Sequence, residues 1–203
     1  MGVDELGPWQ PLGLGDVVRL FAGYPARWWI TGGQALELHL GRSWRAHEDS
    51  DVGLLRQDAP ALRSLLAGWD LCVAAAGSLR PWDGAQLSAA ANHNNVWCRT
   101  AADRPWCLDV TIGEGDEDCW VFRRDPTLRV PWDEAVMYDR EGTPYLAPEL
   151  QLLFKSKDVR PKDDVDAREV IPELTVARQR RLRALLPGEH PWQALLDGPG
   201  GGR

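Results

Sequence analysis

Asp49 and Asp51 stand one position apart, directly after the run Arg45-Ala46-His47-Glu48, and a Gly32-Gly33 turn lies upstream of them. On a strand, residues i and i+2 point to the same face. An extended segment here therefore holds two carboxylates side by side, where they repel unless a cation lies between them. The residue types indicate which cation. Hard oxygen ligands from one or two carboxylates, completed by substrate phosphates, are what Mg²⁺ accepts. The chemistry expected first is that of a nucleotide-using enzyme.

The elements around these residues are legible from periodicity. Leu14, Val17, Val18 and Phe21 have helical spacing within 12–22, and Pro25 ends that run. Residues 28–31 (Trp-Trp-Ile-Thr) read as a short buried strand closed by the glycine pair. A helix is expected over 34–40 with Gly41 as its stop. Residues 49–55 read as the next strand, 60–68 as a short helix and 71–74 as a strand, whereas 77–92 is rich in turn residues. Three β-rich runs follow at 95–99, 107–112 and 119–123, and from Pro148 onward the apolar spacing is helical. The expected fold class is α+β, close to α/β: a mixed β-sheet flanked by helices (1–145), a small C-terminal helical unit (146–197) and a disordered tail (198–203).

Composition narrows the function classes. The chain has 203 residues and a net charge of -7, split as -9 over residues 1–150 and +2 over 151–203. An acidic main body is a poor generic surface for nucleic acid and suits a cationic small molecule better. No run approaches the roughly 18 apolar residues of a membrane helix. The opening MGVDELGPWQ lacks the basic and apolar regions of a secretory leader. Cys72, Cys98, Cys107 and Cys119 are dispersed without a CxxC pair, which reads as buried free thiols and a reducing cytoplasm. Oligomeric state is not legible.

The order of parts is specific: a strand ending in Gly-Gly, a helix, a loop with Arg45 and His47, Asp-Ser-Asp, and a lone carboxylate, Asp109, inside the later strand run Trp106-Cys-Leu-Asp-Val-Thr-Ile. This arrangement resembles the nucleotidyltransferase superfamily. The stretch TGGQALELHLGRSWRAHEDSDVGL is similar to the aminoglycoside 2''-O-nucleotidyltransferase and lincosamide nucleotidyltransferase group, and the likeness continues through HNNVWCR, CLDVTI, WVFRRD and YLAPELQLLFKSKDVRPKDDVDAREVIPEL. The resemblance implies a Mg²⁺-dependent transfer of a nucleoside monophosphate, AMP from ATP first among them, to a hydroxyl of a small acceptor such as an aminoglycoside- or lincosamide-like antibiotic. The alternatives keep the fold and change the use: a toxin-like enzyme acting on tRNA or protein, or a non-catalytic nucleotide-binding module.

Roles follow from chemistry. Asp49 and Asp51 are the expected metal ligands. Asp109 is a third ligand and, if its strand lies beside theirs, a base for the acceptor hydroxyl. Gly32 and Gly33 allow close backbone approach, and at a helix N-terminus their amides can meet the triphosphate, with Thr31 adding a hydroxyl. Arg45 is expected on phosphate, and His47 either orients a carboxylate or makes a structural hydrogen bond. The resemblance suggests that lysines of the KSKDVRPKDDVDAR segment, Lys155 and Lys157 among them, reach the phosphates; spacing alone favours a self-pairing, solvated face. Asp163, Asp164 and Asp166 read as capping and ion-pairing groups, Glu149 as a helix-dipole partner with an acceptor-site role open, and most of the eleven tryptophans as core.

Overall fold

A computed structural model of the chain describes residues 6–197. The tail expected to be disordered, 198–203, lies outside the described residues. The elements run α1 (Leu14–Phe21), β1 (Trp28–Ile30), α2 (Gly32–Leu40), β2 (Asp51–Leu55), α3 (Leu62–Leu65), β3 (Asp70–Ala75), β4 (Ser78–Pro81), β5 (Asn95–Arg99), β6 (Leu108–Gly115), β7 (Cys119–Val121), β8 (Arg129–Pro131), α4 (Trp132–Ala135), β9 (Val136–Tyr138), β10 (Pro144–Leu146), α5 (Pro148–Lys155), α6 (Pro161–Val170), α7 (Val176–Leu185) and α8 (Gln193–Leu196).

The sheet is mixed, in the order β4-β3-β5-β6-β2-β1-β10-β9, and β6 continues into a small extension with β7 and β8. Its two parallel pairings are β2 with β6 and β1 with β10. Alternation along the strands assigns the faces. Val52, Leu54, Val96, Cys98, Leu108, Val110 and Ile112 are buried together with Val17 and Phe21 of α1 and Leu62 and Leu66 near α3. The opposite face carries Trp29 and Leu55, which join a second core built mostly from the C-terminal helices: Leu150 and Leu153 of α5, Val170 of α6, Leu182 of α7 and Leu196 of α8. A strand with both faces covered tolerates polar groups only where they face a cleft or a partner. That is the pattern of β6, where Leu108, Val110 and Ile112 are buried and Asp109 and Thr111 are half-buried.

β10 pairs with β1 through Tyr145 opposite Ile30, so the strand that precedes the C-terminal helices is part of the main sheet. Sequence reading missed β4, which lies in the run read as turn-rich, and β8, α4, β9 and β10. Each spans three or four residues, too short for a period to register. Glu149, in the first turn of α5, is fully buried, with Arg178 Nη1 2.6 Å from its carboxylate and Arg181 Nη1 3.2 Å away. It ties α5 to α7. Trp29, Trp106 and Trp120 are core residues, while Trp97 is half-buried with its ring 5.0 Å from Trp9 and 5.8 Å from Trp106.

Candidate active site

Sheet order brings the acidic residues together. β2 and β6 lie side by side with Asp51 directly opposite Asp109. On the far side of β6, β5 places Trp97 opposite Asp109 and Asn95 opposite Thr111. Opposed residues project from the same face, so Asp51, Asp109, Asn95 and Thr111 share one. Asn95 Nδ2 donates to Asp109 Oδ1 at 2.9 Å. Asp49 differs from expectation, because β2 begins at Asp51 and Asp49 belongs to the preceding loop. That loop is held by side chains rather than a ladder: Glu37 accepts from the Trp44 and Arg45 amides, and Ser50 Oγ donates to the Leu12 carbonyl at 2.6 Å.

The acids are electrostatically uncomfortable. Burial, then the charges of Asp49 and Asp109, raise the Asp51 carboxyl well above the usual carboxylate range. Burial also pushes Asp109 up to about 7, against the stabilising hydrogen bond from Asn95 and with the Asp49 charge adding to the rise. Carboxylates kept in such surroundings are candidates for function.

The glycine turn is built against them. α2 starts at Gly32, two residues earlier than its apolar period indicates. Gly32 has φ of +69°, and a Cβ there would sit 1.9 Å from Asp51 Oδ2; one on Gly33 would sit 2.1 Å from Arg45 Nη2. No other residue fits this approach of backbone to carboxylate and guanidinium. Thr31 Oγ1 and the Gly32 amide both donate to Gln151 Oε1 of α5, at 2.6 and 3.0 Å. The hydroxyl expected to contact nucleotide is thus tied to Gln151, a residue whose only sequence signal is an amide inside an apolar helical run.

A cleft of about 410 Å³ opens over the turn, lined by Asp49, Asp51, Thr31, Gly32, Gly33, Asn95, Thr111, Gln151 and Phe154, and by seven cationic side chains against four acidic ones in all. In a protein of net charge -7 this is a local reversal of sign. Asp109 adjoins the cleft through Asn95 without lining it. Four of the cations have acid partners. Arg45 forks onto Asp166 (Nε to Oδ1 2.8 Å, Nη2 to Oδ2 2.9 Å). Lys155, 8% exposed, lies 2.8 Å from Asp163 and 3.0 Å from Asp166. Arg160 binds Asp163, and Lys162 binds Glu48 at the surface. Lys157 is exposed on the cleft rim. His47 turns away: Nδ1 lies 3.2 Å from Arg45 Nη1, Nε2 lies 3.1 Å from Glu37 Oε2, and the ring lines a separate cavity behind α2. It props the loop through Glu37 and does not touch the Asp49–Asp51–Asp109 group. Arg123, Arg124, Asn95 and Gln151 are cleft residues to which sequence reading assigned no role, although WVFRRD and HNNVWCR contain three of them.

The donor set suits Mg²⁺: hard carboxylate oxygens, two in register and one from the loop, whose mutual repulsion a divalent cation would relieve. Among the described residues no group of three or more His, Cys, Asp or Glu closes around a metal-sized point. An open half-site is what this ion uses when water and phosphate complete its shell.

The aminoglycoside-2''-adenylyltransferase family model matches residues 13–78, a segment with the glycine turn, Asp49 and Asp51 but not Asp109. No curated protein matches the chain significantly. Among solved structures, ANT(2'')-Ia in complex with adenylyl-2''-tobramycin is similar with a TM-score of 0.57 at 13% identity, covering 84% of this chain and 92% of that one. The solution structure of the antibiotic-resistance factor ANT(2'')-Ia gives 0.55 at 14% identity, covering 84% and 87%. The lincomycin-bound lincosamide antibiotic adenylyltransferase LnuA gives 0.52 at 19% identity, covering 75% and 90%. The fold is that of these nucleotidyltransferases. Among the described residues no helix is long and apolar enough to cross a membrane.

Proposed function

We propose that the chain is a Mg²⁺-dependent nucleotidyltransferase that moves a nucleoside monophosphate, AMP from ATP, onto a hydroxyl of a small polyhydroxylated antibiotic of the aminoglycoside or lincosamide kind. One observation carries the reading: Asp51, opposed in register to Asp109 on one sheet face, meets the glycine turn and with Asp49 lines a cationic cleft. In the reaction the acceptor oxygen bonds to the α-phosphorus and the bond from that phosphorus to the bridging oxygen breaks. Its electron pair leaves with pyrophosphate.

Asp49, Asp51 and Asp109 would hold the metal, which supplies charge neutralisation at the attacking and leaving oxygens. Asp109 is also the group to take the acceptor's proton, since burial pushes its carboxyl up to about 7 and Asn95 fixes one of its oxygens. The Gly32–Gly33 turn lets phosphate approach the backbone at the head of α2. Arg45, Lys155 and Thr31 serve by holding the walls: Arg45 and Lys155 both bind Asp166, and Thr31 binds Gln151. His47 supports the same loop through Glu37. Use of ATP and four unpaired cysteines accord with work in the cytoplasm.

The test incubates the protein with Mg²⁺ and each nucleoside triphosphate against aminoglycosides, lincosamides and bulk tRNA, with product mass as readout. A mass gain of one AMP on an antibiotic, with pyrophosphate release, is the expected result. Transfer to tRNA alone, or Mg·ATP binding with no transfer to any acceptor, would replace this reading.

A further inference from the structure

The cleft contains a second group of like charges without partners, of opposite sign to the first. Arg123 is half-buried, and its Nη1 reaches only the carbonyls of Asn94 and Ile112, at the long distances of 3.5 and 3.4 Å. The nearby acid Glu114 is taken by Arg56 at 2.6 Å. Arg124 donates to the Phe154 carbonyl at 2.8 Å. Both guanidiniums lie against the Phe154 ring, 5.6 and 5.3 Å from its centroid, and neither has a carboxylate within ion-pair distance among the described residues. Burial and mutual repulsion lower the hold of Arg123 on its proton. Arg45, Lys155, Arg160 and Lys162 of the same cleft all have acid partners. Two adjacent guanidiniums without an anion repel each other, and a planar fork is the side-chain geometry that grips phosphate oxygens two at a time.

We infer that Arg123, flanked by Arg124, binds the pyrophosphoryl end of the nucleoside triphosphate, so that the leaving group is held by these arginines and not by Lys155 or Arg45. The inference rests on the reading of the cleft as a triphosphate site, and assigns its opposite ends: unpaired acids for the metal, unpaired arginines for the departing phosphates.

Calorimetry in Mg²⁺ with ATP, AMP and inorganic pyrophosphate on wild type, Arg123→Met, Arg123→Lys and Arg124→Met tests it. Arg123→Met should weaken ATP and pyrophosphate about ten- to a hundredfold, the scale of hydrogen bonds to a charged group, and leave AMP affinity unchanged. Arg123→Lys, which keeps the charge and loses the fork, should fall between. Equal pyrophosphate affinity in wild type and Arg123→Met, or an AMP loss as large as that for ATP, overturns the assignment. Should Arg123→Met fail to fold, Arg123→Lys decides, and wild-type pyrophosphate affinity there overturns it. Wild type binding ATP while Arg123 variants are indifferent removes this inference alone; wild type binding neither ATP nor pyrophosphate removes the triphosphate reading as well.

Discussion

Asp49, Asp51 and Asp109 on one side of the cleft can be set beside Asp163 and Asp166 of α6 on the other. Both groups are carboxylates withdrawn from water, but their surroundings differ. At Asp163 burial alone would raise the carboxyl, yet hydrogen bonds from Arg160 and Lys155 overcome it and hold the group well below the ordinary range. Asp166 is lowered in the same way by Arg45 and Lys155. Asp51 and Asp109 have no cationic partner among the described residues and are raised. The same residue type serves as mortar in one place and as a poised vacancy for a cation in the other. Partnership, not burial, separates the two.

That contrast can be broken most sharply by Asp51→Asn. Several kcal/mol of metal-borne charge stabilisation corresponds to a loss of transfer of about a thousandfold or more, while denaturation should show a fold as stable as wild type or more so at neutral pH. Near-normal activity with labelled ATP would remove Asp51 from the metal site. Asp166→Ala is the counterpart in the paired region. It leaves Arg45 without its buried anion and Lys155 with Asp163 alone, and urea denaturation should show a loss of about 3–5 kcal/mol. An unchanged midpoint would mean that the network is ornamental.

The two regions also have opposite pH slopes. A folded-state value above the unfolded one gives stability that is full below the ordinary carboxylate value of about 4 and lost as pH rises; for Asp109 the loss runs to about 7. The depressed carboxylates of α6 do the reverse, with stability present above about pH 4 and lost as pH falls through their folded values. Mg²⁺ should therefore raise Tm more at about pH 8 than at about pH 5, and Asp51→Asn should flatten the decline between them. A metal-induced rise that shrinks with pH would contradict the acid-site electrostatics. The smallest effect is expected from Glu48→Gln. Glu48 stands beside Asp49 in sequence but has a side chain 82% exposed, pairing with Lys162 at the surface, so stability should change by less than about 1 kcal/mol. A larger loss measured by denaturation would show that exposure is a poor guide to which acids matter here.

Much of the frame was legible. The α1 and α2 helices, the β1 and β2 strands and the β5–β6 runs stand within a few residues of where apolar periodicity puts them, because each buries one face or stripe. The helix head at Gly32 was misplaced because the glycine turn there is built against Asp51 and not marked by an apolar period. Gln151, Asn95 and Arg123 passed without a role because a polar residue read by its sequence neighbours gives no hint of what stands opposite it. In KSKDVRPKDDVDAR the self-pairing reading holds for Lys155 and Arg160, which have taken acids of their own segment.

The chain alone determined which chemistry was within reach: a glycine pair, two acids at a spacing of two, a third acid inside an apolar strand, and a surplus of arginine. Those are properties of residue type and short separation, and local sterics and solvation act over the same short range. Which charges remained unpaired was decided by the fold. Arg45 meets Asp166 across 121 positions, Thr31 meets Gln151 across 120, and Asp51 meets Asp109 only through the parallel pairing of β2 with β6. A carboxylate or guanidinium takes its function from the nearest opposite charge in space, and no linear pattern contains that distance.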